Sequence, residues 1–309
     1  MTYWKPTKRL FTETMMKMMR MTTPHGCESF TWAHLPSPPN GGAPGSRTAY
    51  GKGSTWIDEH GNYHVSIPGN GRAVMWASHC DTADGHPCAV CFKRDGDMLR
   101  TDGRSILGAD DKTGCTIMAM MIRSGVPGHY VFFAGEEVGC VGSKALAQET
   151  DAYTYDVCIS FDRKGYDSIV THQMGSRCCS DDWAAQLAEE LNKDGFKFAA
   201  DPTGVYTDSL QFSDLIPECT NISVGYMHQH TPREQQDIDF AYRLCLTMIR
   251  IGHANAIPAP LRNPMLVEDD DKYFSYGSRH YWGGGRDCDP DFITEHEWRN
   301  SFDDDKENN

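Results

Sequence analysis

His129-Tyr130-Val131-Phe132-Phe133-Ala134, running into Gly135-Glu136-Glu137, is the stretch that decides the fold. A short run of aromatic and β-branched residues reads as a buried strand, and this one delivers two carboxylates at its carboxyl end. The pattern recurs on both sides. Ala73 to Ser78 runs into His79-Cys80-Asp81, Asp156 to Phe161 into Asp162, and Asn221 to Val224 into Tyr226-Met227-His228-Gln229-His230. Helical periodicity fills the intervals, over Gly114–Arg123, Ser143–Gln148, Asp181–Lys193 and Glu234–Ala254. Thr7 to Met21 adds an N-terminal helix with Leu10, Phe11, Met15, Met18 and Met19 on one face. Ser54–Asp58 and Tyr63–Ile67 read as two strands joined by the turn Glu59–Asn62. Strands alternating with helices predict an α/β fold: three layers, α/β/α, around a mostly parallel central sheet. Ligands of such folds sit at the carboxyl ends of the strands, where this chain places its ionisable residues.

Composition narrows the function. A formal net charge of -14 over 309 residues argues against nucleic acid as a partner, because phosphate binding needs basic patches. Half of that charge lies in the last stretch, Pro258 to Asn309, with 13 Asp and Glu against 6 Lys and Arg. The domain reading is therefore a single catalytic domain over residues 1–257 and an acidic, poorly ordered tail over 258–309. Pro36 to Gly53, rich in Pro, Gly and Ser, reads as loop. No apolar stretch approaches the roughly 20 residues of a membrane span. The N-terminus, Met1 to Phe11, has no apolar signal core, so the expected location is the cytoplasm. There the 12 cysteines are expected as reduced, mostly buried thiols, and Cys88-Ala-Val-Cys91 lacks the second ligand pair of a structural zinc site.

The strand ends carry the chemistry. In His79-Cys80-Asp81, residues two apart on an extended segment point the same way, so Asp81 can fix the tautomer of a ligating imidazole. Asp110-Asp111 stands between Gly108-Ala109 and a helix start, where one Asp can cap the helix and the other bridge two metals. Of Glu136 and Glu137, one can ligate while its neighbour acts as general base. Asp162 is either a further ligand or half of a surface pair with Arg163, and either His230 or His228 supplies the second imidazole. Two imidazoles, two terminal carboxylates and one bridging carboxylate suit a pair of divalent ions about 3.5 Å apart, most readily zinc, with cobalt or manganese as alternatives.

These segments resemble the co-catalytic dinuclear zinc exopeptidases, peptidase T and the zinc aminopeptidases among them. Ser78-His79-Cys80-Asp81-Thr82 is similar to their HxDT motif, Leu107-Gly-Ala-Asp-Asp-Lys-Thr-Gly114 to the GADDKxG segment, Gly135-Glu-Glu-Val-Gly139 to EExG, and His230-Thr-Pro-Arg-Glu234 to the closing HTxxD/E. The resemblance spans roughly Glu13 to Ala254. It implies that Asp110 bridges the metals, that His79 and Asp162 complete one and Glu137 and His230 the other, that Glu136 shuttles the proton and that Asp81 orients. It also implies a cis peptide after the bridging Asp. Gly204 to Phe212 is similar to a substrate-side loop of compact aminopeptidases, which makes Tyr206 the candidate for polarising the scissile carbonyl. About 31 residues separate His79 from Asp110 and about 68 separate Asp162 from His230, gaps too short for the inserted dimerisation domain of some relatives.

The expected activity is metal-dependent hydrolysis of peptide bonds, as an aminopeptidase or di/tripeptidase, with a water held between the ions and Glu136 as base. An amidase or deacylase acting on an acylated amino acid would use the same metal residues. A non-catalytic scaffold retaining the fold is the alternative from a different class, and it would have no need of Glu136. The expected partner is a peptide or small amide substrate, and the sequence leaves the oligomeric state open.

Overall fold

The structure, a computed structural model, describes residues 3–36, 54–149 and 154–264. All of the expected Pro36–Gly53 loop except Pro36 lies outside them, as does the acidic stretch from 265 onward. An eight-stranded sheet forms the centre, in the order β1 (Ser54–Ile57), β2 (Tyr63–Ile67), β6 (Gly128–Phe133), β3 (Val74–His79), β7 (Val157–Arg163), β12 (Glu218–Ser223), β8 (Ser168–Val170) and β11 (Ala199–Asp201). The central four, β6, β3, β7 and β12, run parallel, so their carboxyl ends share one edge. β1 and β2 form an antiparallel hairpin that pairs antiparallel with β6.

Alternation along the strands sets the two faces. Trp76 stacks on Tyr130 and Phe161, and Ser78 bonds to the helix α3 (Ala109–Ser124), so these side chains face α3. Phe133 points the other way and meets Phe212, in a short 3-10 turn over Asp208–Phe212 that packs beside α4 (Val141–Ala147). α3 is almost wholly buried, between β3 and β7 on one side and α1 (Lys8–Met18) and α6 (Ile238–His253) on the other. It approaches the sheet closely at Gly114, where an added Cβ would stand 2.5 Å from the Phe161 carbonyl and 2.6 Å from Asp111. α2 (Ser29–Trp32) and the antiparallel pair β9 (His172–Gln173) and β10 (Ser176–Arg177) are short, and α5 (Asp181–Asn192) buries the expected Trp183, Leu187 and Leu191.

A second sheet is antiparallel, in the order β13 (Tyr226–Met227), β14 (Gln235–Asp237), β5 (Met98–Thr101), β4 (Phe92–Asp95). Its presence corrects the final helix, which the sequence reading began at Glu234. Gln235 to Asp237 pair with β5 instead, and the helix starts at Ile238 because the Asp237 carboxylate caps the Phe240 amide at 3.0 Å. The chain remains packed beyond 257. Pro258 accepts a bond from Trp183 Nε1 (3.2 Å), and the buried Glu218 carboxylate accepts from the amides of Leu261 and Arg262 (2.8 and 2.9 Å) as well as from Ser180. No helix among the described residues is long and apolar enough to cross a membrane.

Candidate active site

His79 ends β3 with its ring buried. Nδ1 is held by the Asp81 carbonyl at 3.0 Å, with the Asp81 carboxylate at 3.4 Å, and Nε2 faces Asp110 Oδ1 at 3.1 Å and Asp162 Oδ1 at 3.6 Å. The Asp81 carboxylate does more than back the imidazole: it accepts the amides of Glu136 and Glu137 at 3.0 and 3.1 Å, fixing the turn after β6. On the other side of Asp110, His230 Nε2 lies 3.1 Å from Asp110 Oδ2 and 3.1 Å from Glu137 Oε1. His79, Asp110 and Asp162 thus form one group of ligand atoms within 4.8 Å of one another, and Asp110, Glu137 and His230 a second, with Asp110 common to both. His228, two residues from His230, is exposed and outside both groups.

The adjacent aspartates divide their work. Asp111 turns inward, where it accepts Ser78 Oγ at 2.5 Å and the Gly114 amide at 3.1 Å, while Asp110 faces the two imidazoles. The peptide bond between them is cis. The Asp110 backbone is fixed by a residue whose part the sequence reading missed. Glu234 is fully buried, and its carboxylate accepts the amides of Leu107 (2.7 Å), Gly108 (2.9 Å) and Asp110 (3.0 Å). Burial raises its pKa to about 7, with the Asp110 charge adding to the rise and the amides opposing it. Tyr226 was also missed, although it lies on the segment leading to His230. Its buried hydroxyl donates to Asp162 Oδ1 at 3.0 Å, and Thr207 donates to Oδ2 at 2.5 Å. No sequence pattern announced either contact, because each joins segments more than 40 residues apart.

Electrostatics mark the cluster as incomplete without cations. Burial pushes the Glu136 carboxyl well above its ordinary pKa; His79 opposes this, and Asp162 and Glu137 add to it. Asp162 is raised by burial and by the Asp110 charge. For His79, burial disfavours the charged ring, but contacts with Asp110, Asp162 and Asp81 outweigh it and hold the pKa well above the usual value. Glu137 Oε1 is buried and makes no hydrogen bond, although His230 lies beside it. Buried carboxylates this close are costly unless positive charge offsets them, and imidazole plus carboxylate is the donor set of divalent transition metals. The residues fit a metal pair.

A cleft of about 450 Å³ opens over the cluster, lined by Asp110, Glu136, Glu137, Asp162 and His230 at one end and by Val170, Gln173, Val205 and Tyr206 along its walls. Tyr206 is 37% exposed on the rim, with the Lys144 ammonium 5.3 Å from its ring centre. Gly204 lets the wall close, since a Cβ there would stand 2.3 Å from the His172 carbonyl and from Val170. Cys88 and Cys91 are exposed, unpaired and outside every group of three ligands among the described residues.

Parallel strands whose carboxyl ends converge on a shared aspartate are the framework of aminopeptidase-type metallohydrolases. Solved structures carry the same frame. The aminopeptidase PepT of Bacillus cereus superposes with a TM-score of 0.65 at 13% identity, over 81% of this chain and 99% of that one. A tripeptidase of Staphylococcus aureus gives 0.64 at 14% identity over 81% and 99%, and the TET1 peptidase of Pyrococcus horikoshii 0.60 at 13% over 78% and 99%. No curated protein matches the sequence. The family model of peptidase family M28 matches residues 62–234; the chain belongs to that family and is a metallo-exopeptidase.

Proposed function

We propose that the chain is a dinuclear aminopeptidase or di/tripeptidase that removes residues from the free amino end of short peptides. The observation that carries this reading is the Asp110 carboxylate, one oxygen facing each imidazole at 3.1 Å, with a further carboxylate beside each ring. His79 and Asp162 would hold one divalent ion and Glu137 and His230 the other, with Asp110 shared; zinc suits this donor set best, and cobalt or manganese are possible. When bound, the ions supply Lewis acidity and lower the pKa of water towards about 7. Glu136, beside Glu137 on the cleft wall, takes the proton of the attacking water and returns it to the leaving amine. Tyr206, on the cleft wall, stabilises the developing oxyanion. Unpaired thiols at all 11 described cysteines support a reducing compartment such as the cytoplasm.

Hydrolysis of aminoacyl-anilides and dipeptides, with zinc, cobalt or manganese added, tests the reading. Glu136→Gln should retain metal by elemental analysis and lose about 10²–10⁴ in kcat. Normal turnover in that variant would remove Glu136 from the mechanism, and cleavage of acylated amino acids alone would make the enzyme an amidase.

A further inference from the structure

The charge distribution in the cleft points to the side chain it accepts. Every acidic residue lining the cleft (Asp110, Glu136, Glu137 and Asp162) belongs to the metal-facing cluster. Among the described residues, the only lining charges outside the cluster are Arg163 and Lys164, both positive. Arg163 is the last residue of β7, next to Asp162, and its guanidinium is clamped from one corner. Nη2 donates to Asp201 Oδ2 (3.2 Å), to the Thr203 carbonyl (3.2 Å) and to Thr203 Oγ1 (3.1 Å). Nε is buried and makes no bond. Thr203 is in turn tied to Asp201 by its amide (2.8 Å) and its hydroxyl (2.6 Å), so the clamp is rigid.

The wall beside the clamp supplies a further polar group, because Gln173 pairs with Gly204, next to Thr203. Gln173 is fully buried yet lines the cleft; its amide nitrogen bonds Ser209 Oγ at 2.9 Å and its carbonyl oxygen has no partner. A serine hydroxyl can donate as well as accept, so this carboxamide can turn over and present its nitrogen to a ligand. Val170 and Val205 provide apolar wall for a short methylene stem.

We propose that this cleft selects substrates whose N-terminal residue carries an acidic side chain, glutamate above all, with Arg163 as the specificity-determining residue. The inference rests on the aminopeptidase reading of the same site. A fixed guanidinium on the cleft lining attracts a carboxylate and repels lysine or arginine. Asp201 offsets part of the Arg163 charge.

The test is a panel of Glu-, Gln-, Leu- and Lys-anilides with the metal-loaded enzyme, beside calorimetric binding of free L-glutamate, L-glutamine and L-leucine. Glutamate and glutamine differ by charge at constant shape, so their ratio reads Arg163. Glu should exceed Gln by about tenfold in kcat/KM and in affinity, and Lys should be the poorest substrate. In Arg163→Met the Glu:Gln ratio should fall to about one, whereas Arg163→Lys, which keeps the charge and loses the fork, should keep part of the preference. Circular dichroism reports whether each variant is folded, and if Arg163→Met is not, the wild-type ratios and Arg163→Lys decide. A wild-type preference for Leu, or a Glu:Gln ratio unmoved by Arg163→Met, overturns the proposal. An enzyme inert to every anilide removes the aminopeptidase reading instead. Glutamate binding to the metal-loaded chain then decides the cleft's selectivity alone, and binding no tighter than that of glutamine overturns it.

Discussion

Replacing Glu234 with glutamine changes one atom of a fully buried side chain that touches no substrate, yet it should weaken the metal centre. In the native chain the carboxylate accepts three backbone amides, two on Oε2 and one on Oε1. In Glu234→Gln one of those oxygens becomes a donor. The cheaper orientation keeps the oxygen towards Leu107 and Gly108 and turns the new NH2 towards the Asp110 amide. Leaving one buried N–H without an acceptor costs about 1–3 kcal/mol. Exchanging the other two charge-assisted bonds for neutral ones costs roughly 0.5 kcal/mol each. The sum, about 3 kcal/mol, leaves a protein of ordinary stability folded. At about 2–4 °C per kcal/mol the melting point should fall by roughly 10 °C. Asp110 then loses the anchor of its own backbone, and metal affinity should drop by about 10–100-fold, the usual effect of removing a group that holds a ligand in place. Differential scanning calorimetry of the metal-free chain and a chelator-competition titration measure the two effects separately. A variant that melts within about 1 °C of wild type and competes for metal equally well would refute the anchoring role.

His79→Ala and His230→Ala should each lower bound metal from two ions towards one, read by elemental analysis after dialysis; full content in both would disprove the shared-aspartate geometry. Asp58 yields an acid-stability prediction. Burial alone would raise its pKa, but bonds from His64 and Asn62 hold it to about 2, against an ordinary 3.8. A depressed acid stabilises the fold above its unfolded value, and that contribution is lost as pH falls through about 2. The gap is worth about 2 kcal/mol, so urea midpoints should drop less steeply between pH 5 and 2 in Asp58→Asn than in wild type. Trp76→Ala should cost about 3–5 kcal/mol in urea unfolding, because Trp76 is buried against Tyr130 and Phe161 and its indole bonds the Pro127 carbonyl. A loss below about 1 kcal/mol would mean that the core refills the space.

Sequence reading reached the parallel core because β3, β6 and β7 are largely apolar and run into His79, Glu136-Glu137 and Asp162, whereas β12, Glu-Cys-Thr-Asn-Ile-Ser, was recognised only from Asn221 onward. A strand buried on both faces leaves that signature without reference to its neighbours. The second sheet left none. Its strands are two to four residues long, β4 is mostly exposed, and β14 reads Gln-Gln-Asp directly before a helix, so local pattern assigned it to the helix. The candidate residues were legible as types at strand ends, and the structure brings His79, Asp110, Glu137, Asp162 and His230 together with Glu136 beside them. Their supports were not, since Glu234, Tyr226 and Thr207 act through long-range bonds with no periodicity. The tail boundary was drawn from composition, which sees a loss of apolar residues at Pro258 but not the bonds that hold Leu261 and Arg262 to Glu218.

Glu218 opens β12, and the cleft lies at the far end of that six-residue strand. At about 3.3 Å per residue, Glu218 stands about 10 Å from Asn221, the β12 residue that lines the cleft. By gripping Leu261 and Arg262, Glu218 makes the described chain depart from the side remote from substrate entry. An affinity handle or surface tether joined after Pro264 would therefore start behind the catalyst, and beads or sensor chips coupled through that end would leave its mouth open to incoming peptides.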